Sequence, residues 1–346
     1  MAAAAASLSL ISAAPLDLAD SPPIRKYEPR AAHVVIVVLD GVRHDELSRG
    51  TDSSLWGDVP RPARELVPHL WALADRGVFV GEMEASGPNF VSLPGYTEIL
   101  TGHASQCQAN DCEHPVDLSL VDVVCGENEG CESAIVGSWP SLARLDSGRS
   151  DAVVSAGQTA GRALARLRAD PELGALWESG SRAGSNPGGE GYRPDQATIA
   201  LAEAYLERVS PEVMLVSLGD MDEYAHAGDY AAYVSALERA DAFLASVDRW
   251  ALDRDAHGEP TTVFVTADHG RSIDFRDHGK DHPESQRVWL VAAGAGIAQS
   301  GAPHVDARAV PRLRDLGPTA ARLLGYELPP HPLRGRVLSE ILAPAP

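Results

Sequence analysis

His33–Gly41, HVVIVVLDG, decides the fold of this chain. Its apolar run has no polar alternation, so it reads as a strand covered on both faces, as in a parallel sheet flanked by helices. Asp40 stands at the carboxyl end of that strand, where open α/β sheets bind ligands. The same grammar returns twice downstream. In Met214–His226, MLVSLGDMDEYAH, a strand leads to Asp222 and, four residues on, His226. In Thr261–Gly270, TTVFVTADHG, a strand leads into Asp268 and His269, and His278 and His282 follow in RDHGKDH. Taken singly, each is an ordinary turn, cap or solvated loop residue. Together they bring carboxylates and imidazoles to one sheet edge, which is the donor set of a divalent transition-metal site.

A further segment carries a hydroxyl. Ser92–Gly102, SLPGYTEILTG, follows the loop-like EASGPNFV and turns helical at Tyr96, Ile99 and Leu100. Pro94 suits a first helical turn, where its missing N–H has no partner to lose. Ser92 is then expected just ahead of that turn, where free N–H groups and the helix dipole favour an anion.

The remaining patterning predicts an α/β chain, a three-layer αβα sandwich. Strands are expected near 34–39, 78–84, 133–138, 213–218, 261–266 and 287–293, and helices over about 63–76, 94–102, 194–208, 229–250 and 315–325. Leu66, Leu70, Leu73 and Ala74 form a core-facing helical stripe. Trp139, after SAIVG, reads as packing. ESGSRAGSNPGGEG (178–191) reads as a flexible surface excursion over the active site.

On these motifs the chain resembles the alkaline phosphatase superfamily, which includes nucleotide pyrophosphatases/phosphodiesterases, sulfatases and cofactor-independent phosphoglycerate mutases. The resemblance runs from Val34 to about Leu342 and takes in the tail DLGPTAARLLGYELPPHPLRGRVLSEIL. It implies an alkaline-phosphatase-like fold in which two divalent metal ions flank a nucleophilic Ser92. Asp40, Ser92, Asp268 and His269 would hold one ion, and Asp222, His226 and a later His the other. His278, in an HG dipeptide before RVWLVAAG, matches the phosphodiesterase-like branch. His282, opening HPESQ, is the alternative, as in the alkaline phosphatases proper. Asn110, in TGHASQCQAND, falls near an Asn that binds the phosphoryl group in the phosphodiesterase branch. Arg144 is the one candidate for a phosphate clamp, with no motif behind it. The sulfatase pattern is broken, because Tyr96 stands where sulfatases carry Arg.

The implied activity is phosphate ester hydrolysis, on a monoester or a diester, through a phosphoserine. The alternatives are a sulfatase, a mutase and a non-catalytic metal-binding descendant. About 120 residues separate Gly102 from Asp222, thin room for a mutase's inserted domain. Three His among the donors favour zinc over the oxygen-only sites of calcium and magnesium.

The 346 residues are enough for a sizeable single core, and the expected division is a signal-like or disordered segment over 1–30 and one catalytic domain over 31–346. The net charge of −20 argues against nucleic acid or anionic lipid as a partner and leaves a small phosphate ester as the expected one. No run beyond the extreme N-terminus approaches a membrane span. The only cysteines, Cys107, Cys112, Cys125 and Cys131, cluster in CQANDC and CGENEGC. Two local disulfides, 107–112 and 125–131, are the simplest pairing, and a structural zinc is the alternative. Disulfides imply an oxidising compartment, periplasmic or secreted.

Overall fold

The computed structural model describes residues 26–344, except 114, 117, 127–131, 160, 162–163 and 300–308. Cys131 and most of the 1–30 segment lie outside the described residues. Seven strands form one sheet: β1 (His33–Leu39), β2 (Val78–Glu84), β3 (Ala134–Gly137), β4 (Val153–Ala156), β5 (Val213–Leu218), β6 (Thr261–Thr266) and β7 (Arg287–Gly294). Their order is β2-β7-β6-β1-β5-β3-β4. The block β6-β1-β5-β3-β4 is parallel throughout, and β7 runs antiparallel to both its neighbours.

β1 lies in the middle, buried at every position. Val35, Val37 and Leu39 join one hydrophobic cluster with the helices Pro68–Arg76, Asp195–Val209 and Tyr230–Ala256. Val34, Ile36 and Val38 join the other, with Ser92–Thr101, Leu120–Cys125 and Leu316–Leu323. An uninterrupted apolar strand is what a sheet with helices on both faces demands, and the three-layer α/β sandwich follows.

Several boundaries differ from the sequence pattern for local reasons. The helix expected over 63–76 divides into Ala63–Leu66 and Pro68–Arg76, because the residue before a proline is pushed out of the helical region. Val67 sits there at φ −130° and ψ 65°. The last long helix runs on to Ala256, since nothing before Gly258 breaks it. β4 is a short edge strand, too brief to show in the apolar pattern. Residues 178–181 finish the helix Pro171–Ser181, so the excursion expected over 178–191 begins later, and none of those residues lines the cavity described below. Cys107 and Cys112 are bridged, Cys125 is disulfide-bonded, and no described cysteine is free. Among the described residues no helix is long and apolar enough to cross a membrane.

The Ser92–Thr101 helix presses directly on the loop after β6. A Cβ added to Gly95 would lie 2.3 Å from the Asp268 carbonyl oxygen, so only glycine permits this approach. Gly95→Ala is expected to destabilise the protein by about 1–3 kcal/mol in urea titration, as overpacking against backbone does. Gly57→Ala, where an added Cβ meets nothing within 4 Å, should move stability by less than about 0.5 kcal/mol. Equal effects would show that the helix seat is loose.

Candidate active site and metal centre

Three adjacent parallel strands, β6, β1 and β5, end on one rim. Asp40 follows β1 directly, and its N–H bonds Leu218 O of β5 at 3.0 Å. Asp268 and His269 follow β6, and Asp268 Oδ1 accepts the Gly41 N–H at 3.1 Å. The helix Asp220–Ala227 begins two residues past β5 and carries Asp222 and His226 one turn apart on one face. Gly41, at φ +63°, keeps the centre open: a Cβ there would come within 2.6 Å of Asp222 Oδ1.

Ser92 enters from the opposite helix layer. It lies within the first turn of Ser92–Thr101 rather than ahead of it, and Val91 holds the cap position. The expected ring of free N–H groups is thereby reduced, since Leu93 N is taken by Asn110 Oδ1 at 2.9 Å and Pro94 has no N–H. Ser92 Oγ lies 3.3 Å from His269 Nε2. That nitrogen stands 3.4 Å from both Asp40 Oδ1 and Asp268 Oδ2. Asp40, Asp268 and His269 thus offer donor atoms within 4.8 Å of one another, and so do Asp222, His269 and His278.

The second group gathers around Asp222. Its Oδ2 is 3.2 Å from His226 Nε2, which is 3.1 Å from His278 Nε2. His278 is stacked on His269 with ring centroids 3.9 Å apart. Backbone carbonyls orient both rings. His278 Nδ1–H donates to Phe90 O and His269 Nδ1–H to Gly270 O, each at 2.9 Å. That leaves each Nε2 as the free donor toward the centre, as in metal-ligating histidines. His282 joins neither cluster; it caps the turn Pro283–Gln286. The geometry therefore gathers His278 and not His282.

Charge is unevenly compensated. Arg271 lays both terminal nitrogens on Asp222 Oδ1, at 2.9 and 2.7 Å. Burial alone would raise the Asp222 carboxyl, but the Arg271 charge and the His226 hydrogen bond outweigh it and hold it well below the usual range. Asp40 and Asp268 have no such cation. Burial, with the neighbouring carboxylates, lifts Asp40 well above its ordinary value and Asp268 to about 8. Asp40 Oδ1 and Asp268 Oδ2 are buried without any hydrogen-bond partner. Burial likewise lowers His269 and His278, which favours the neutral, ligating imidazole, while the hydrogen bond to Asp222 raises His226. Orphaned carboxylate oxygens beside a neutral imidazole are what a bound cation would satisfy, so the residues fit a divalent metal.

These groups border a cavity of about 160 Å³. Asp40, Ser92, Asn110, Asp222, His226 and His278 line it, together with Trp139, Tyr192, Gly219 and Glu223. Trp139, expected only to pack, both packs on the core and faces the cavity. Arg144 does not reach it: its Nη1 donates to Cys112 O at 3.1 Å. Sequence reasoning missed three participants. Arg271 stands two residues past His269 as a charge in an otherwise buried segment, which was a usable signal. Tyr96, whose hydroxyl donates to Asp40 Oδ2 at 3.0 Å, looked like a core aromatic. Glu223 was hidden by its neighbour Asp222.

A family model described as the Metalloenzyme superfamily matches residues 185–328. The chain is 24% identical over 140 residues to the 2,3-bisphosphoglycerate-independent phosphoglycerate mutase of Halobacterium salinarum, covering 40% of this chain and 26% of that one. It is 43% identical over 60 residues to GPI ethanolamine phosphate transferase 1 of Aspergillus fumigatus, covering 17% and 6%. The chain therefore matches about a quarter or less of these relatives' length. Among solved structures it is similar to a 2-O GAG sulfatase (TM-score 0.60, 16% identity, 90% of this chain and 74% of that one). A Vibrio parahaemolyticus protein in the alkaline phosphatase superfamily matches with TM-score 0.58 and 15% identity over 96% and 76%. The alkaline phosphatase of the Antarctic bacterium TAB5 matches with TM-score 0.53 and 12% identity over 85% and 98%. The fold is that of the alkaline phosphatase superfamily, and the donor cluster and the Metalloenzyme superfamily model over residues 185–328 support a place for the chain among such metalloenzymes.

Proposed function

We propose that this chain is a two-metal phosphodiester hydrolase that works through a phosphoserine on Ser92. The observation that carries the reading is the convergence of Ser92 Oγ with two donor groups on one small cavity. Asp40, Asp268, His269 and Ser92 would hold one divalent ion, and Asp222, His226 and His278 the other, with zinc best suited to the three imidazoles. When bound, such ions supply the positive charge that activates the attacking hydroxyl and stabilises the departing oxygen.

The protein's own groups do the rest. His269, fixed after the end of β6, would set the position of Ser92 Oγ, 3.3 Å from its Nε2. Asn110 Oδ1 accepts the Leu93 N–H, which leaves its amide N–H groups as donors for a phosphoryl oxygen. Ser92 Oγ forms a bond to phosphorus as the ester oxygen leaves, and water then cleaves the phosphoserine.

The lining supports a diester over a monoester. Among the described residues it contains no Lys or Arg, and it includes Glu223. A dianionic terminal phosphate would meet a carboxylate where a monoester enzyme needs an added cation. A cavity of about 160 Å³ suits the reacting group, with its substituents directed outward. A sulfate ester is also a monoanion, but Tyr96 replaces the sulfatase Arg. The substrate is then a small ester, not nucleic acid or an anionic membrane surface, in keeping with the net charge of −20. The Cys107–Cys112 bridge supports an exported, periplasmic or secreted setting.

Zinc-loaded protein is expected to show higher kcat/KM on bis(4-nitrophenyl) phosphate than on 4-nitrophenyl phosphate or 4-nitrophenyl sulfate; the reverse order would overturn the diester reading. Ser92→Ala should lower turnover by about 10²–10³-fold with metal content unchanged, as loss of an activated nucleophile does. Near-normal turnover would mean that water attacks directly.

Elemental analysis should find about two zinc ions per chain. Chelator-stripped protein should lose melting temperature as pH rises from about 7 to 8.5. Asp268, pushed up to about 8, keeps its proton in the folded chain where an unfolded aspartate has lost it, so rising pH favours unfolding. Over that range the lowered His269 and His278 contribute little, since an unfolded histidine is already largely neutral, Asp222 matters only in acid, and the raised His226 adds to the decline with the same sign. Zinc should abolish the decline. A melting temperature that rises across the window in stripped protein would contradict the carboxylate assignment.

A further inference from the structure

We infer that the Cys107–Cys112 bridge is a positioning device for the active site, holding one short loop as a cradle between the nucleophile's helix and the His278 loop. This rests on the proposed role of Asn110 in holding the phosphoryl group. The bridge closes a sequence separation of 5, and Asn110 lies inside it. On one side Asn110 Oδ1 accepts from Leu93 N at 2.9 Å, beside Ser92. On the other, Gln108 binds Asn89 twice: Asn89 N donates to Gln108 Oε1 at 2.9 Å, and Asn89 Nδ2 donates to Gln108 O at 2.6 Å. Asn89 Oδ1 in turn accepts from Lys280 N at 2.9 Å, and the next residue, Phe90, accepts the His278 Nδ1–H. Arg144 ties down the end of the loop through Cys112 O.

The loop has no helix or strand to hold it, so its order depends on these contacts and on the bridge. A closure this short constrains the unfolded chain less than a long one. Its consequence is therefore local: it keeps Asn110 and Gln108 at fixed separation while each engages a different wall of the site. Pre-ordering both groups removes the entropy of fixing them when an anion binds.

The test uses zinc-loaded full-length protein in four forms: wild type, Cys107→Ala/Cys112→Ala, Asn110→Ala, and the three substitutions combined. Affinity for inorganic phosphate is measured by calorimetry, beside zinc content, thermal melting and kcat and KM on bis(4-nitrophenyl) phosphate. Asn110→Ala should weaken phosphate binding about tenfold, as loss of one hydrogen bond to a charged group does. Opening the bridge should weaken it to a similar extent with cooperative melting retained. Adding Asn110→Ala to the opened protein should then matter by less than about twofold. A full Asn110 effect in the opened protein, or unchanged phosphate affinity on opening, overturns the inference. Gln108→Ala, which keeps the bridge, covers a failure of the cysteine variant to fold: it should speed zinc loss to a chelator about tenfold, and an unchanged rate overturns the inference. Phosphate affinity and zinc retention need no turnover, so inactivity on every ester would refute the proposed reaction while leaving this result readable. A wild type that binds no phosphate would overturn both.

Discussion

Asp40 and Asp268 share one imidazole at the ends of two paired strands, and each has a carboxylate oxygen that no protein donor reaches. The ladder that pairs Val38 with Thr266 prevents the two carboxylates from drifting apart. Burial makes such a pair costly unless it is protonated or meets a cation. Much of the surrounding structure maintains this tension. Gly41 and Gly95 allow backbone to close on the carboxylates, and Tyr96 satisfies the second oxygen of Asp40 while itself contacting Ser217 Oγ at 2.6 Å. A fold that leaves only the inward oxygens unmet has shaped a place for positive charge.

The two halves of the centre are unequal. Asp222 already has a counter-ion in Arg271, whose guanidinium also reaches the Asp222 carbonyl and the Phe275 carbonyl. Arg271 therefore fixes Asp222 Oδ1 and leaves Oδ2, beside His226, for a ligand. On the other half no cation pairs directly with Asp40 or Asp268, and the Tyr96 and Gly41 hydrogen bonds and the Arg271 charge on Asp40 offset their burial only in part. The first half is held in shape by protein contacts, whereas the second resists ionisation at neutral pH until a cation offsets its burial. The pH dependence of the stripped protein thus arises from Asp40 and Asp268 on one half and from the raised His226 on the other, all with the same sign.

The sheet edge was legible because it is written locally. Buried strands leave long apolar runs, and the residue after each run stands at the ligand-binding rim by topology alone. Asp40, Asp268 and His269 needed no tertiary information beyond that, and Asp222 and His226 needed only helical spacing. The loops were opaque for the complementary reason. Arg144 looked like a free cation near the site, but a carbonyl in the cysteine loop claims its guanidinium. Trp139 follows a strand like many packing aromatics, and only the fold, which brings Asn110 and Tyr192 to the same cavity, shows that it lines one. Ser92 was located to within one position, since capping rules cannot tell the first helical residue from the one before it without the Val91 backbone.

Tyr96 joins these two kinds of information. In the sequence it registers only as a loss, the missing Arg of the sulfatase pattern. In the structure the same side chain is fully buried and its hydroxyl holds Asp40 and Ser217 together beneath the Ser92–Thr101 helix. An arginine at that position would set a positive charge directly against the Asp40 carboxylate. A phenol supplies a hydrogen bond without competing for the charge. Residue 96 therefore bears on the carboxylate cluster through its hydroxyl, because one turn of the helix places it behind Asp40 whatever it carries.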